Sequence, residues 1–140
     1  MNRTLMGLVL AVILIVSMVP AAGAQEPRLT ATIPFDFYTG KMLLPAGVYV
    51  FESPEPGVQI MRNASTQAFV MQVRAVRRGP SQRAARGSVI FNRYGDDHFL
   101  SQIWWPDAEV GRETVKGPVE LGINTLVARP AVEAVTAAGN

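Results

Sequence analysis

Asp96, Asp97 and His98 stand side by side, and theirs are the residue types that most invite chemistry. A carboxylate beside an imidazole can hold a metal or move a proton, and His98 is the single histidine among 140 residues. Consecutive strand residues point to opposite faces, however, so these three converge only if a turn curls them together. A transition-metal site also wants three or more ligands from separate segments. Gly95 followed by two aspartates is ordinary turn chemistry, and a hydrophilic hairpin turn is the plainer reading. A serine nucleophile would have to share the same His98, and no serine lies in a G-x-S-x-G setting. Cysteine is absent, which removes thiol nucleophiles, thiolate metal sites and haem attachment. Asp107 and Glu109 have the residue types of a glycosidase pair, but any solvated loop shows that spacing. No phosphate loop, dinucleotide fingerprint or calcium loop occurs. The expectation is a non-enzyme with no catalytic residue, no metal and no cofactor. A hydrolase built on Asp96, Asp97 and His98 is the least favoured alternative.

Charge is more informative. Between Glu55 and Asp96 there is no acidic residue, while Arg62, Arg74, Arg77, Arg78, Arg83, Arg86 and Arg93 all fall there. Beyond Tyr94 the balance reverses. Asp96, Asp97, Asp107, Glu109, Glu113, Glu120 and Glu133 then face only Arg112, Lys116 and Arg129. Two arrangements follow. The arginine strands lie beside the acidic carboxy-terminal strands and are neutralised within the fold, as cross-strand pairs often are. Otherwise Arg77, Arg78, Arg83 and Arg86 form a surface patch that meets an acidic glycan, an anionic lipid or an acidic envelope protein. Nucleic acid is disfavoured, because the net charge of the whole chain is only +2.

Trp104-Trp105 completes the candidate binding surface. Adjacent strand residues take opposite faces, so one indole enters the core and the other looks outward. An outward indole stacks on a sugar, anchors a partner or is shielded by another segment.

These side chains must be positioned by strands, for period-two alternation recurs and helical periodicity is hard to find. Segments 29–37, 48–51, 58–61, 67–77, 88–94 and 98–105 read as strands, with Pro34 placing the first at an edge or at a bulge. Tyr94-Gly95-Asp96-Asp97 joins two of them as a hairpin. Phe35, Phe37, Tyr49, Phe51, Phe91, Phe99 and Ile103 fall on the apolar faces and form the expected core. Pro118 can open a short carboxy-terminal helix, which Gly122 and the β-branched Val119, Ile123, Thr125 and Val127 oppose. Residues 131–140 are small and lack an aromatic anchor, and read as a flexible tail. The sum is an all-β single domain, a sandwich or small barrel of about seven strands.

The amino terminus reads as a signal peptide. Arg3 precedes an apolar run over 8–19, and Ala22-Gly23-Ala24 supplies the small-x-small cleavage site. Crossing a bilayer takes about 20 apolar residues, and this run stops at 12. Cleavage after Ala24 removes 24 of 140 residues and leaves 116, enough for one core over 25–130 and the tail. No transmembrane span then remains, and the expected location is the periplasm or the exterior. The expected role is a non-catalytic binding or structural domain. A small β-barrel carrying an apolar ligand is the alternative, and it requires an interior larger than its own side chains.

Two motifs carry a resemblance. F-D-F-Y-T-G-K-M-L-L-P-A-G-V-Y, with Phe35, Phe37, Gly40, Leu44, Pro45, Ala46, Gly47 and Tyr49, is followed about fifty residues on by F-N-R-Y-G-D-D-H-F-L-S-Q-I-W, with Phe91, Arg93, Tyr94, Gly95, Asp96, Phe99, Leu100 and Trp104. Together they resemble a family of small secreted bacterial all-β proteins. The resemblance implies fold and export, and no activity.

Overall fold

The computed structural model describes residues 27–63, 68–77, 84–124 and 129–139, so the signal-peptide segment lies outside the described residues. Alternating apolar side chains build β1 (Arg28–Ile33), β2 (Phe37–Thr39), β3 (Met42–Leu44), β4 (Gly47–Glu55), β5 (Val58–Asn63), β6 (Ala68–Arg77), β7 (Gly87–Tyr94), β8 (Asp97–Trp104), β9 (Val110–Thr114) and β10 (Ala131–Gly139). A short helix, α1 (Pro118–Asn124), lies between β9 and β10.

Eight of these strands close into a barrel. Their order around the ring is β1-β4-β5-β6-β9-β8-β7-β10, with β10 returning to β1 and every neighbouring pair antiparallel. β7, β8 and β9 meander and β10 comes back beside β7, which is Greek-key order. Closure leaves the ring no unpaired edge, and it settles sandwich against barrel. The β2–β3 hairpin takes up the part of β8 that β9 leaves free, through a parallel pairing of Tyr38 with Phe99. Phe37 turns inward onto Tyr49 and Phe91, with ring centroids 5.1 and 5.3 Å away, while Tyr38 stacks on Phe99 on the outer side.

An eight-stranded barrel is just wide enough for side chains to fill, and here they do. Leu29, Ile33, Phe37, Tyr49, Phe51, Met61, Val89, Phe91 and Ile103 are fully buried. Phe99 is nearly so, and Phe35 is half-buried against the cluster, so the expected core stands. Gln59 is also fully buried, and its amide donates to the Glu52 carbonyl at 2.7 Å beside an irregularity in the β4–β5 register.

Two expectations need correction. First, β1 ends at Ile33 and is no edge strand, for it lies between β4 and β10. Pro34 has no N–H for a ladder, so pairing stops there and the chain re-enters as β2. Second, residues 131–139 are β10 and not a tail. They pair along seven residues of β7 and three of β1. Backbone hydrogen bonds hold this strand, and small side chains suit a slot between two neighbours; composition alone does not display that. The eight-stranded ring fits the expected small barrel of about seven strands, and among the described residues β2 and β3 add a short hairpin to it.

α1 forms despite Gly122. A helix of seven residues is marginal alone, and tertiary bonds hold this one. Glu120, 3% exposed, accepts from Asn92 Nδ2 at 2.8 Å and from the Tyr94 hydroxyl at 3.3 Å on the outer face of β7. Burial, and then the Glu120 carboxylate, push the Tyr94 phenol up. Among the described residues no helix is long and apolar enough to cross a membrane.

Two glycines are required by geometry. Gly95 has φ +65° at the first central position of the two-residue β7–β8 turn, where a side chain would be strained. Gly111 lies under the Trp104 indole. A Cβ there would sit 2.6 Å from Trp104 Cδ2 and 2.8 Å from the Ile103 carbonyl oxygen. Because one of those atoms is backbone, Gly111→Ala is expected to cost about 1–3 kcal/mol through overpacking. Urea denaturation followed by Trp fluorescence measures it, and an unchanged midpoint would refute the tight packing of Trp104.

Candidate functional site

Inward-facing positions continue past the core to both ends of the barrel, and each end gathers polar side chains. At one end the register places Arg93 opposite both His98 and Ala131, with Glu133 opposite Phe91, so all share the inner face. His98 Nε2 lies 3.0 Å from Glu133 Oε2, and Arg93 Nε lies 3.7 Å from the same oxygen. The Phe35 ring stacks on His98 at 3.7 Å and closes this end. Asp96 and Asp97 are exposed on the hairpin turn and make no bond to His98. The consecutive triplet is thus not a constellation. Its histidine is paired with a residue 35 positions away, because strand alternation sends neighbours apart.

The opposite end carries an open recess. Arg112 is opposite Ile103 and Ala75, so it too faces inward, and Val110 follows on the same face. Ser53 continues the inner face of β4, and Trp105 packs against the edge of the core just beyond β8. With Pro27 these residues enclose a recess of about 230 Å³. Arg77 is opposite Val110 at the end of β6, on that same face and exposed. Arg86 precedes β7 at this end and is also exposed, beside a groove of about 530 Å³ that passes Pro106 to reach Thr30, Thr136 and Ala138.

The charge question resolves residue by residue. Arg74 pairs with Glu113 at 2.6 Å, and Arg28 and Arg62 both reach Glu52. Those are the internal pairs expected of neighbouring strands. Arg77 and Arg86 make no ion pair with any described residue. Arg78 and Arg83 lie outside the described residues.

Trp104 leaves the candidate surface. It occupies the outward-facing position, yet it is 2% exposed and its Nε1 donates to Gln102 at 3.0 Å. Gly111 on the neighbouring strand makes room for it. Trp105 is half-buried, and its Nε1 is buried without an acceptor among the described residues.

Comparison with protein-family models, curated proteins and solved structures returns no match. Arg112 and Ser53 went unnoticed in the sequence, where Arg112 merely counted against a run of acidic residues. The usable signal was alternation: in Val110-Gly111-Arg112 the glycine takes the face of Trp104 and leaves the arginine the face of Ile103.

Proposed function

We propose that this chain is an exported, non-catalytic binding domain whose open barrel end, marked by Arg77, Arg86 and Arg112, takes an anionic ligand. One observation carries the reading. Arg77, Arg86 and Arg112 all lie toward one end of the barrel, and among the described residues no carboxylate pairs with any of them, while Arg28, Arg62, Arg74 and Arg93 are paired and only Arg129, before β10, is likewise without a described ion pair. Unpaired cations on one rim attract acidic groups. The signal-peptide pattern over 1–24 and the resemblance to small secreted β proteins fit an exported location, periplasmic or extracellular. A carrier of apolar ligands is less well supported, since the bulky residues Phe37, Tyr49, Phe51 and Phe91 occupy the barrel interior. A hydrolase is less well supported too, since His98 is committed to Glu133 and Phe35.

The test is binding to an acidic polysaccharide and, separately, to vesicles containing anionic lipid, each across a salt series. Binding to one or both should weaken steeply with salt, because exposed charges are screened beyond about 8–10 Å at physiological ionic strength. Arg77→Gln with Arg86→Gln should weaken vesicle binding roughly tenfold or more, at about 1 kcal/mol per basic side chain. Thermal stability should stay nearly unchanged, as solvated unpaired charges contribute little to folding. Which ligand binds identifies the source of the acidic groups. No binding to either, or binding that the double variant leaves intact, would overturn the proposal.

A further inference from the structure

We infer that the recess between Trp105 and Arg112 is a carboxylate subsite for a small acid with an apolar body; the inference rests on the open-end reading and deepens it. Arg112 carries five N–H donors, yet its described bonds are two long contacts to neutral oxygens. Nε donates to Ser53 Oγ at 3.4 Å and Nη1 to the Gly111 carbonyl at 3.3 Å. No carboxylate among the described residues neutralises it, although the side chain is half-buried. A partly desolvated guanidinium favours a counter-charge, and its planar fork matches the two oxygens of a carboxylate.

Trp105 supplies an independent observation. A buried indole N–H ordinarily finds an acceptor, and that of Trp105 has none among the described residues. Both residues line one recess, Arg112 with no carboxylate among the described residues and Trp105 with a buried N–H that has no acceptor among them. The rest of the wall includes Pro27 and Val110, which are apolar. At about 230 Å³ the recess is smaller than the 300–1,000 Å³ typical of drug-sized ligands. It suits a carboxylate with one ring or a short chain. Ser53 would hold the guanidinium in place from the side.

Benzoate is the probe. Titrated into the ¹⁵N-labelled protein, it should shift the Trp105 indole N–H resonance and leave that of Trp104, already bonded to Gln102, where it is. Arg112→Gln should weaken benzoate binding about ten- to a hundredfold, the range carried by a hydrogen bond to a charged group. Arg112→Lys should recover little, since an ammonium cannot fork onto a carboxylate. Benzyl alcohol and inorganic phosphate should bind far more weakly than benzoate. Absence of the Trp105 shift in the unaltered protein overturns the subsite, and that readout does not depend on any variant folding. So does equal binding of benzyl alcohol, of phosphate, or of benzoate by Arg112→Gln. Benzoate binding seen only after Glu26→Gln would make the chain's own carboxylate beside Pro27 the occupant, and overturns it as well. The Arg77 and Arg86 variants leave the recess intact. Loss of polymer or vesicle binding with benzoate binding retained, or the reverse, tells failure of the broad reading from failure of the subsite.

Discussion

A chain that stops at Pro130 will not fold to a cooperative native state. The deletion removes β10, which pairs along seven residues of β7 and three of β1. The barrel then opens between β7 and β1, and two strands lose the partner for a row of backbone groups. Unpaired edges cost hydrogen bonds and template aggregation. The inner face loses Ala137 and Val135, which uncovers Leu29 and Val89, both fully buried in the closed ring. Nothing in the chain compensates, for there is no disulfide to hold the gap. Circular dichroism through a thermal ramp checks this: the truncated chain should lack both the near-ultraviolet signal of its tryptophans and a sharp transition. A truncated chain that melts like the full one would return residues 131–139 to the status of a tail.

Phe91→Ala should be the most damaging single substitution in the core, costing about 3–5 kcal/mol. The ring is fully buried and meets Phe35 edge-on at 5.0 Å and Phe37 at 5.3 Å. Both contacts have the geometry that adds about 0.5–1.5 kcal/mol to simple burial. The site has little means of collapse, since the rings around it are fixed on β2, on β4 and in the segment before β2. The denaturant midpoint should fall with an unchanged slope, and the melting temperature should drop by roughly 10–20 °C. A loss under about 1 kcal/mol would mean that the ring is not enclosed as described.

Much of the fold was legible because strand chemistry is local. The alternation of Val89 and Phe91, the β-branched run at Val48–Val50 and the Tyr94-Gly95-Asp96-Asp97 turn each announce themselves within a few residues, and each is where it was expected. Six of the seven expected core residues are fully or nearly fully buried, with Phe35 half-buried against His98. What stayed hidden depends on partners. β10 has no strong pattern of its own and exists because β7 and β1 flank it. α1 opposes its own propensities and exists because Asn92, Tyr94 and Lys116 bind Glu120.

The candidate site divides the same way. Residue order made the Asp96-Asp97-His98 triplet conspicuous, but alternation separated its members and long-range pairing gave His98 to Glu133. Order also advertised an arginine-rich stretch, and only the register could say which arginines are neutralised. Arg74 meets Glu113 because those two residues are opposite on β6 and β9. Arg77 and Arg86 are left without a carboxylate among the described residues, and Arg112 is turned inward by the same pairing.

By itself, then, the sequence determined an all-β chain, its main strands, its hairpin turn, most of its core and the uneven distribution of its charge. Each of these follows from short-range sterics and from the period of two. The tertiary structure decided the closed ring, the incorporation of residues 131–139, the burial of Trp104 over Gly111 and the placing of Trp105 and Arg112 along one recess. Those outcomes depend on which strands become neighbours and in what register, and a shift of one residue would turn every side chain to the other face.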